Sequence, residues 1–550
     1  MPGHEPGRLP TRIASLGVWV AGVASCLWWA GYGVALAMAG LPPAWANLGV
    51  GSWIERRARI APDQLALVGD DRSFTYAELA GRVRRLANGL QRLGVGRGDR
   101  VAWLGPNHPA FLEALFASGL VGAALAPVNH RLAADGIRAV LADIGPKVLI
   151  QHSDTDPTAV PDSVRHRIAV AGSIQGAHDF EALVAGSPDE PVEVPVGMEE
   201  VCLLPHTSGT TGPPKGVMLT HANLTWNVIN FLSCADFRSD DVTVAIAPFF
   251  RVGGTGVNVL PVLFMGGTVV VLSDLRPDGI LQAMERHRVT VGFGNPDLLD
   301  ALVRSELWPQ VDLSSVRFIV TGGAPVTERL IRAWLDRGVM LLQGYGLSEA
   351  APLALLLDPA SALTKMGSAG RPPLLVDLQI VHPDGTVVEP GETGELLVRG
   401  PNVMAGYWRR PEATKEVLSA EGWLRSGDAA RSDEQGYVWI VDRIADCFLA
   451  AGRPVHPGDV ERVLSGHPSV ADAGVVQVLA EGGGEVVAAL VVLSAGSQTT
   501  EQDILEYGRR HLAAHQAPTS VTFVDRLPRN TVGKLLRAQL RALASPPDPT

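Results

Sequence analysis

Apolar positions along the chain follow two alternating periods. In "SFTYAELAGRVRRLANGLQRLGVGRGDRVAWLG", Leu79, Val83, Leu86, Leu90 and Leu93 fall at helical spacing behind a threonine start. Gly94 and Gly96 break that pattern, and a short apolar strand follows. "NHPAFLEALFASGLVGAALAPVNHRL" repeats helix, glycine break and strand. This alternation predicts an α/β fold in which helices cover mostly parallel sheets. Near residue 370 the pattern changes. "VDLQIVHPDGTVVEPGETGELLVRGP" reads as short strands joined by D-G and P-G turns, a β-rich subdomain. After "YVWIVDRIADCFLAAGRP" a small α+β unit is expected, with a helix in "LLRAQLRAL". The expected division is an apolar extension over 1–46, a large domain over 47–442 and a small C-terminal domain over 443–545.

The extension holds an uncharged run over 13–40, long enough to cross a bilayer, for which about 20 apolar residues suffice. Two readings stay open. One is a membrane anchor, with Arg56, Arg57 and Arg59 holding the following chain on the cytoplasmic side. The other is an extension absent from a chain begun at Met38. "AWA" at 44–46 also resembles a signal-peptidase site.

At 550 residues, 46% hydrophobic and 19% charged, the chain has room for two or more domains. A formal charge of −11 leaves no basic excess, so a nucleic-acid surface is not expected and small molecules are the expected partners. Cys26, Cys202, Cys234 and Cys447 show neither zinc-ligand nor disulfide-framework spacing, which fits a reducing, cytoplasmic setting.

Candidate chemistry begins at "HTSGTTGPPKGVMLTH", residues 206–221, between two strand-like runs. Its Gly209 and Gly212 free the backbone to turn N–H groups towards anionic oxygens. Thr207, Ser208, Thr210 and Thr211 add hydroxyl donors, and Lys215 adds a positive charge. Together they suit a polyphosphate. The loop is no P-loop signature, because Pro214 precedes Lys215 and Gly216 follows it.

The stretch "TSGTTGPPKGVMLTH" resembles the signature of the acyl-adenylate-forming superfamily, which includes acyl-CoA synthetases, stand-alone adenylation domains and luciferases. "VTGGAPV" (320–326), "LLQGYGLSEA" (341–350), "GSAGRP" (367–372), "GWLRSGDAA" (422–430), "VDR" (441–443) and "LPRNTVGK" (527–534) follow in the family's order. The resemblance covers the chain from about residue 47 onward. It implies a large ATP- and acyl-binding domain and a small C-terminal domain that rotates on a hinge. It further implies a two-step reaction in which a carboxylate and MgATP give acyl-AMP and pyrophosphate, and a thiol then releases AMP. The acceptor would be CoA or, alternatively, an acyl carrier protein.

Residue by residue, the resemblance gives Gly323, Ala324, Pro325, Gly344, Tyr345 and Gly346 to the nucleotide, with adenine stacked on Tyr345. Ser348 meets the α-phosphate and Glu349 is an oxygen ligand for Mg²⁺. Asp428 accepts from the ribose hydroxyls and Arg443 also contacts ribose. Lys534 is the catalytic cation. Carboxylic acids ionise near pH ~4, so the nucleophile needs no general base. What it needs is charge neutralisation as negative charge accumulates on the phosphoryl oxygens, and a lysine placed there supplies it.

Four places depart from the family pattern. Ala445 stands where the hinge residue is usually Asp or Lys, and "AGR" (451–453) replaces a "GGE"-like stretch. Arg251, in "APFFRVGG", stands where many acyl-CoA synthetases have His and amino-acid-activating domains have Asp. A cation there disfavours an amino-acid substrate, whose ammonium it would repel. It either meets an anionic or carbonyl-bearing group or points out of the pocket. "GFGNPDLL" (292–299) puts Asn295 near the acyl site. The reading that follows is an AMP-forming acyl-CoA ligase for a fatty or related apolar acid. The rival from another class is a non-catalytic nucleotide-binding regulator, and export of an ATP-consuming enzyme is disfavoured.

Overall fold

The structure is a computed structural model, described for residues 47–207, 214–324, 326–450, 452–479, 485–494, 496–529 and 535–544. The run 13–40 and Lys534 lie outside these residues, as do Ser208, Gly209, Thr210, Thr211, Gly212 and Pro325. Among the described residues no helix is long and apolar enough to cross a membrane.

The first expected helix forms as Tyr76–Arg92. The Thr75 hydroxyl accepts from the Glu78 amide while the Glu78 carboxylate accepts from the Thr75 amide, a reciprocal cap that satisfies two otherwise orphaned donors. Its Leu79, Val83, Leu86 and Leu90 are buried, and the chain leaves through Gly94 at φ 81°, a conformation that favours glycine. The strand Arg100–Leu104 then enters the middle of a nine-stranded sheet. It runs parallel to both Ala124–Val128 and Val148–His152, so successive strands add on either side of it. Beyond Ala124–Val128 lie Val201–Leu203, then Lys215–Thr220, then the two-residue strand Gly406–Tyr407. The last two pairings are antiparallel.

A second sheet orders Val291–Gly294, Phe318–Thr321 and Met340–Gly346 in parallel, with Leu353–Leu356 antiparallel at its edge. These strands and the helices around them carry the large apolar core. The β-rich region is present as Asp377–Val381, Gly394–Arg399, Leu424–Ser432 and Val438–Arg443, an antiparallel sheet. The C-terminal unit is α+β. Strands Val470–Leu479, Glu485–Leu493 and Ser520–Phe523 pack helices Pro457–Leu464 and Glu501–His511 around Val460, Leu464, Val475, Val491 and Ile504. The final helix, Arg537–Ala544, covers the other face through Leu540. The fold is thus a large α/β region of helix-covered sheets with a β-rich subdomain, followed by a small α+β domain.

Candidate active site

The loop expected to take a polyphosphate is flanked by two strands that pair with each other. His206–Thr207 pairs antiparallel with Lys215–Thr220, aligning Thr207 with Lys215 and His206 with Gly216. Below that junction the buried His206 ring places Nε2 3.1 Å from an Asp143 carboxylate oxygen, and Arg410 donates to the other oxygen at 2.8 Å. A side chain at Gly216 would meet the His206 ring at 3.0 Å, so the close approach favours glycine there. Burial holds the His206 pKa below its usual value despite the favourable Asp143 contact, so a neutral ring supports the loop.

Lys215 directs its ammonium over the Tyr407 ring, 5.0 Å from the centroid. The Tyr407 hydroxyl donates at 2.8 Å to Glu349 Oε1. One tyrosine therefore joins the loop cation to the carboxylate expected to bind metal. Burial, and then the neighbouring Glu349, raise the Tyr407 pKa, which keeps the phenol protonated as a donor. The Ser348–Ala350 turn that carries Glu349 is fixed from behind. Met404 N–H donates to the Glu349 carbonyl at 2.8 Å, and Asn402 Nδ2 donates to the carbonyls of Ala350 and Leu353.

Tyr345, Asp428 and Arg443 form a second chain. Tyr345 Oη donates to Asp428 Oδ2 at 2.5 Å, and Arg443 Nε lies 2.9 Å from Oδ1. The last contact follows from strand register, because Asp428 and Arg443 are direct partners across the β-rich sheet. Burial and Asp428 push the Tyr345 phenol well above its ordinary pKa. Sequence reasoning had Asp428 accept from ribose hydroxyls. In the structure each of its carboxylate oxygens already serves a protein partner. Gly344 and Gly322 approach too closely for a side chain, since a Cβ on Gly322 would sit 2.5 Å from the Gly344 carbonyl oxygen. Gly323, at φ 88°, leaves open space within 4 Å of where a Cβ would stand. Ala324 follows it, half-buried.

Arg251, expected by the acyl site, precedes the short helix Val252–Gly256 and is half-buried. Its guanidinium lies 5.8 Å from the centre of the Phe250 ring, on which Arg131 also stacks at 5.8 Å. Desolvation lowers the Arg251 pKa. Asn295, expected near the acyl site, starts a helix. Its Oδ1 accepts from Leu298 N–H at 3.1 Å and caps helix Pro296–Val303, so that oxygen serves the backbone.

The metal question is one of donor chemistry. Among the described residues no group of three or more His, Cys, Asp or Glu could hold an ion. A lone Glu349 fits Mg²⁺ in the manner usual for nucleotide sites, where one or two carboxylates act with phosphate oxygens and water.

A family model described as AMP-binding enzyme matches residues 54–408, and its C-terminal counterpart matches 459–534. The chain belongs to the AMP-binding enzyme family. Among curated relatives, a feruloyl-CoA synthase of Amycolatopsis sp is 45% identical over 496 residues, covering 90% of this chain and 99% of the relative. An indoleacetate–CoA ligase of Aromatoleum aromaticum is 38% identical, covering 90% and 98%. A long-chain-fatty-acid–CoA ligase of Mycobacterium tuberculosis, FadD13, is 33% identical over the same shares. The solved anthranilate CoA ligase in complex with anthranoyl-AMP superposes with a TM-score of 0.84 at 25% identity, covering 92% of this chain and 98% of that one.

Sequence reasoning missed Tyr407 and His206. Tyr407→Phe is expected to raise the Mg²⁺ concentration needed for half-maximal adenylation about ten-fold, since a hydrogen bond to a charged group contributes about 1.5 kcal/mol. Titrating Mg²⁺ at saturating ATP checks this. Recovery of the rate at high Mg²⁺ marks Tyr407 as a positioning residue.

Proposed function

We propose that this chain is an AMP-forming ligase that activates an aromatic carboxylic acid with MgATP and transfers the acyl group to CoA. The observation that carries the reading is the pair of contact chains. Lys215–Tyr407–Glu349 joins residues read as holding polyphosphate and metal, and Tyr345–Asp428–Arg443 joins residues read as holding the nucleoside. The names of the relatives support the aromatic class. Two of the three curated relatives are named for acids that carry rings, at 45% and 38% identity, whereas the fatty-acid relative stands at 33%. On that ranking the expectation of a fatty or related apolar acid narrows to ring-bearing acids.

In the first step the ionised carboxylate attacks the α-phosphorus and pyrophosphate leaves. Lys215 and the loop N–H groups would hold the departing phosphates, Ser348 the α-phosphate, and Glu349 the metal ion. When bound, Mg²⁺ supplies neutralisation of phosphate charge. Tyr345 offers its ring face to adenine while Asp428, steadied by Arg443, accepts from ribose. Lys534 is assigned the charge that grows on the α-phosphoryl oxygens. In the second step the CoA sulfur attacks the acyl carbonyl, AMP departs and the thiol proton passes to solvent. We place the hinge between the large and small units at 442–446, where Ala445 supplies backbone freedom without a charged side chain.

The test is a panel of aryl, arylpropenoic and straight-chain acids assayed for CoA thioester, AMP and pyrophosphate. The expected result is stoichiometric AMP and thioester with ring-bearing acids at much higher kcat/KM than with long-chain acids. Transfer only to a carrier protein would replace CoA as acceptor, and nucleotide binding without pyrophosphate release would contradict the enzyme reading.

A further inference from the structure

Asp143 stands next to last in helix Ala134–Ile144, 63 residues before His206 and 267 before Arg410. Its side chain and its carbonyl nevertheless reach both flanks of the strand Lys215–Thr220. On one flank, His206 Nε2 lies 3.1 Å from Asp143 Oδ2. On the other, Arg410 Nη2 donates to Oδ1 at 2.8 Å, and the Trp408 indole N–H donates to the Asp143 carbonyl at 3.2 Å. Arg409 Nη1 reaches the same carbonyl at 3.4 Å.

Gly216 sits between the two flanks. A Cβ there would meet the His206 ring at 3.0 Å and the Trp408 Cβ at 3.2 Å, so both side chains close on the residue that follows Lys215. Strand pairing carries this to the site. Trp408 N–H donates to the Gly216 carbonyl at 2.8 Å, and Tyr407, one residue earlier, aligns with Val217. Tyr407 is the residue that takes the Lys215 ammonium over its ring and donates to Glu349. The chain then turns at Arg409 with φ 53°, a conformation uncommon for a residue with a side chain, which persists only where the surroundings fix it. The contacts of Trp408, Arg409 and Arg410 with Asp143 supply that fixing.

We propose that Asp143 is a positioning residue for adenylation, holding Tyr407 at the spacing that lets Lys215 and Glu349 share it. The inference rests on the reading of those two residues as phosphate and metal groups. A carboxylate suits the place because it accepts from an imidazole N–H and a guanidinium at once, and its bond to the guanidinium is charge-assisted. An acceptor opposite Nε2 also keeps the proton of the neutral His206 ring on that nitrogen.

The experiment follows acid-dependent exchange of labelled pyrophosphate into ATP, with a ring-bearing acid, against Mg²⁺ and against ATP. It compares wild type, Asp143→Ala, Tyr407→Phe and the double variant. Asp143→Ala removes the contacts to His206 and Arg410 and leaves the carbonyl that Trp408 and Arg409 use. It is expected to raise the Mg²⁺ and ATP concentrations for half-maximal rate about ten-fold, the effect of losing a hydrogen bond to a charged group, with the rate recovered at saturation. The double variant is expected to shift about as far as the larger single variant, because both substitutions act through Tyr407, whereas independent effects would multiply. Asp143→Asn, which keeps one acceptor oxygen, is expected to shift less than alanine and is read in the same way if the alanine variant does not fold. Titrations unmoved from wild type, a rate that stays low at saturation, or shifts that multiply overturn the assignment and leave Asp143 a structural residue. A wild type without acid-dependent exchange removes the reading of the site together with the assignment.

Discussion

Lys534→Ala is expected to lower acid-dependent acyl-AMP formation about 10²- to 10³-fold while leaving the reaction of supplied acyl-AMP with CoA near the wild-type rate. The magnitude is that of removing one preorganised donor aimed at developing charge. The selectivity follows from the two steps themselves. Adenylation brings a carboxylate against a polyphosphate, so two anions must meet and more charge accumulates on the phosphoryl oxygens. Thiolysis begins from a mixed anhydride whose carbonyl is already activated. A cation serving only the first encounter should be dispensable in the second. Half-reactions followed separately, pyrophosphate release for one and AMP release from acyl-AMP for the other, check this. Equal losses in both would assign Lys534 to folding or to general binding.

Glu349→Gln is expected to cost about 10²-fold in adenylation at low Mg²⁺ and to move the Mg²⁺ titration to higher concentration. The amide retains a carbonyl oxygen able to accept from Tyr407 at the position where Oε1 now sits 2.8 Å away. The 3₁₀ turn and its support from Met404 and Asn402 depend on backbone groups that the substitution leaves in place. What is lost is the negative charge, and hard divalent cations prefer charged oxygen ligands. Measuring rate against Mg²⁺ at fixed ATP separates this from a structural defect, because excess metal compensates only the former. An unshifted titration would remove Glu349 from the metal site. Together with Tyr407→Phe, the variant also forms a double-mutant cycle, and their effects should fall short of additive because the two residues act through one contact.

Much of this was legible in the sequence because the informative signals were local. The cap of helix Tyr76–Arg92 is written within four residues, and its buried face follows from spacing alone. The β-rich region announced itself through D-G and P-G turns between alternating residues. The roles of Tyr345, Asp428 and Arg443 were read separately, and their joining into one chain depends on strand register, which motif reading does not supply. Tyr407 escaped notice for the same reason. It reaches Lys215 and Glu349 only because Gly406–Tyr407 pairs with a strand nearly two hundred residues earlier. The capping role of Asn295 went unread although its signal was local. Asn followed by Pro and Asp is a helix start, with the asparagine at the cap and proline at the first turn.

The central claim is that acid and ATP react reversibly on this protein before CoA takes part. Exchange of labelled pyrophosphate into ATP, measured with a ring-bearing acid and Mg²⁺ and without CoA, tests it most directly. The account predicts exchange that requires the acid and the metal and proceeds without thiol. Exchange absent until CoA is added, or cleavage of ATP to ADP and phosphate, would contradict it.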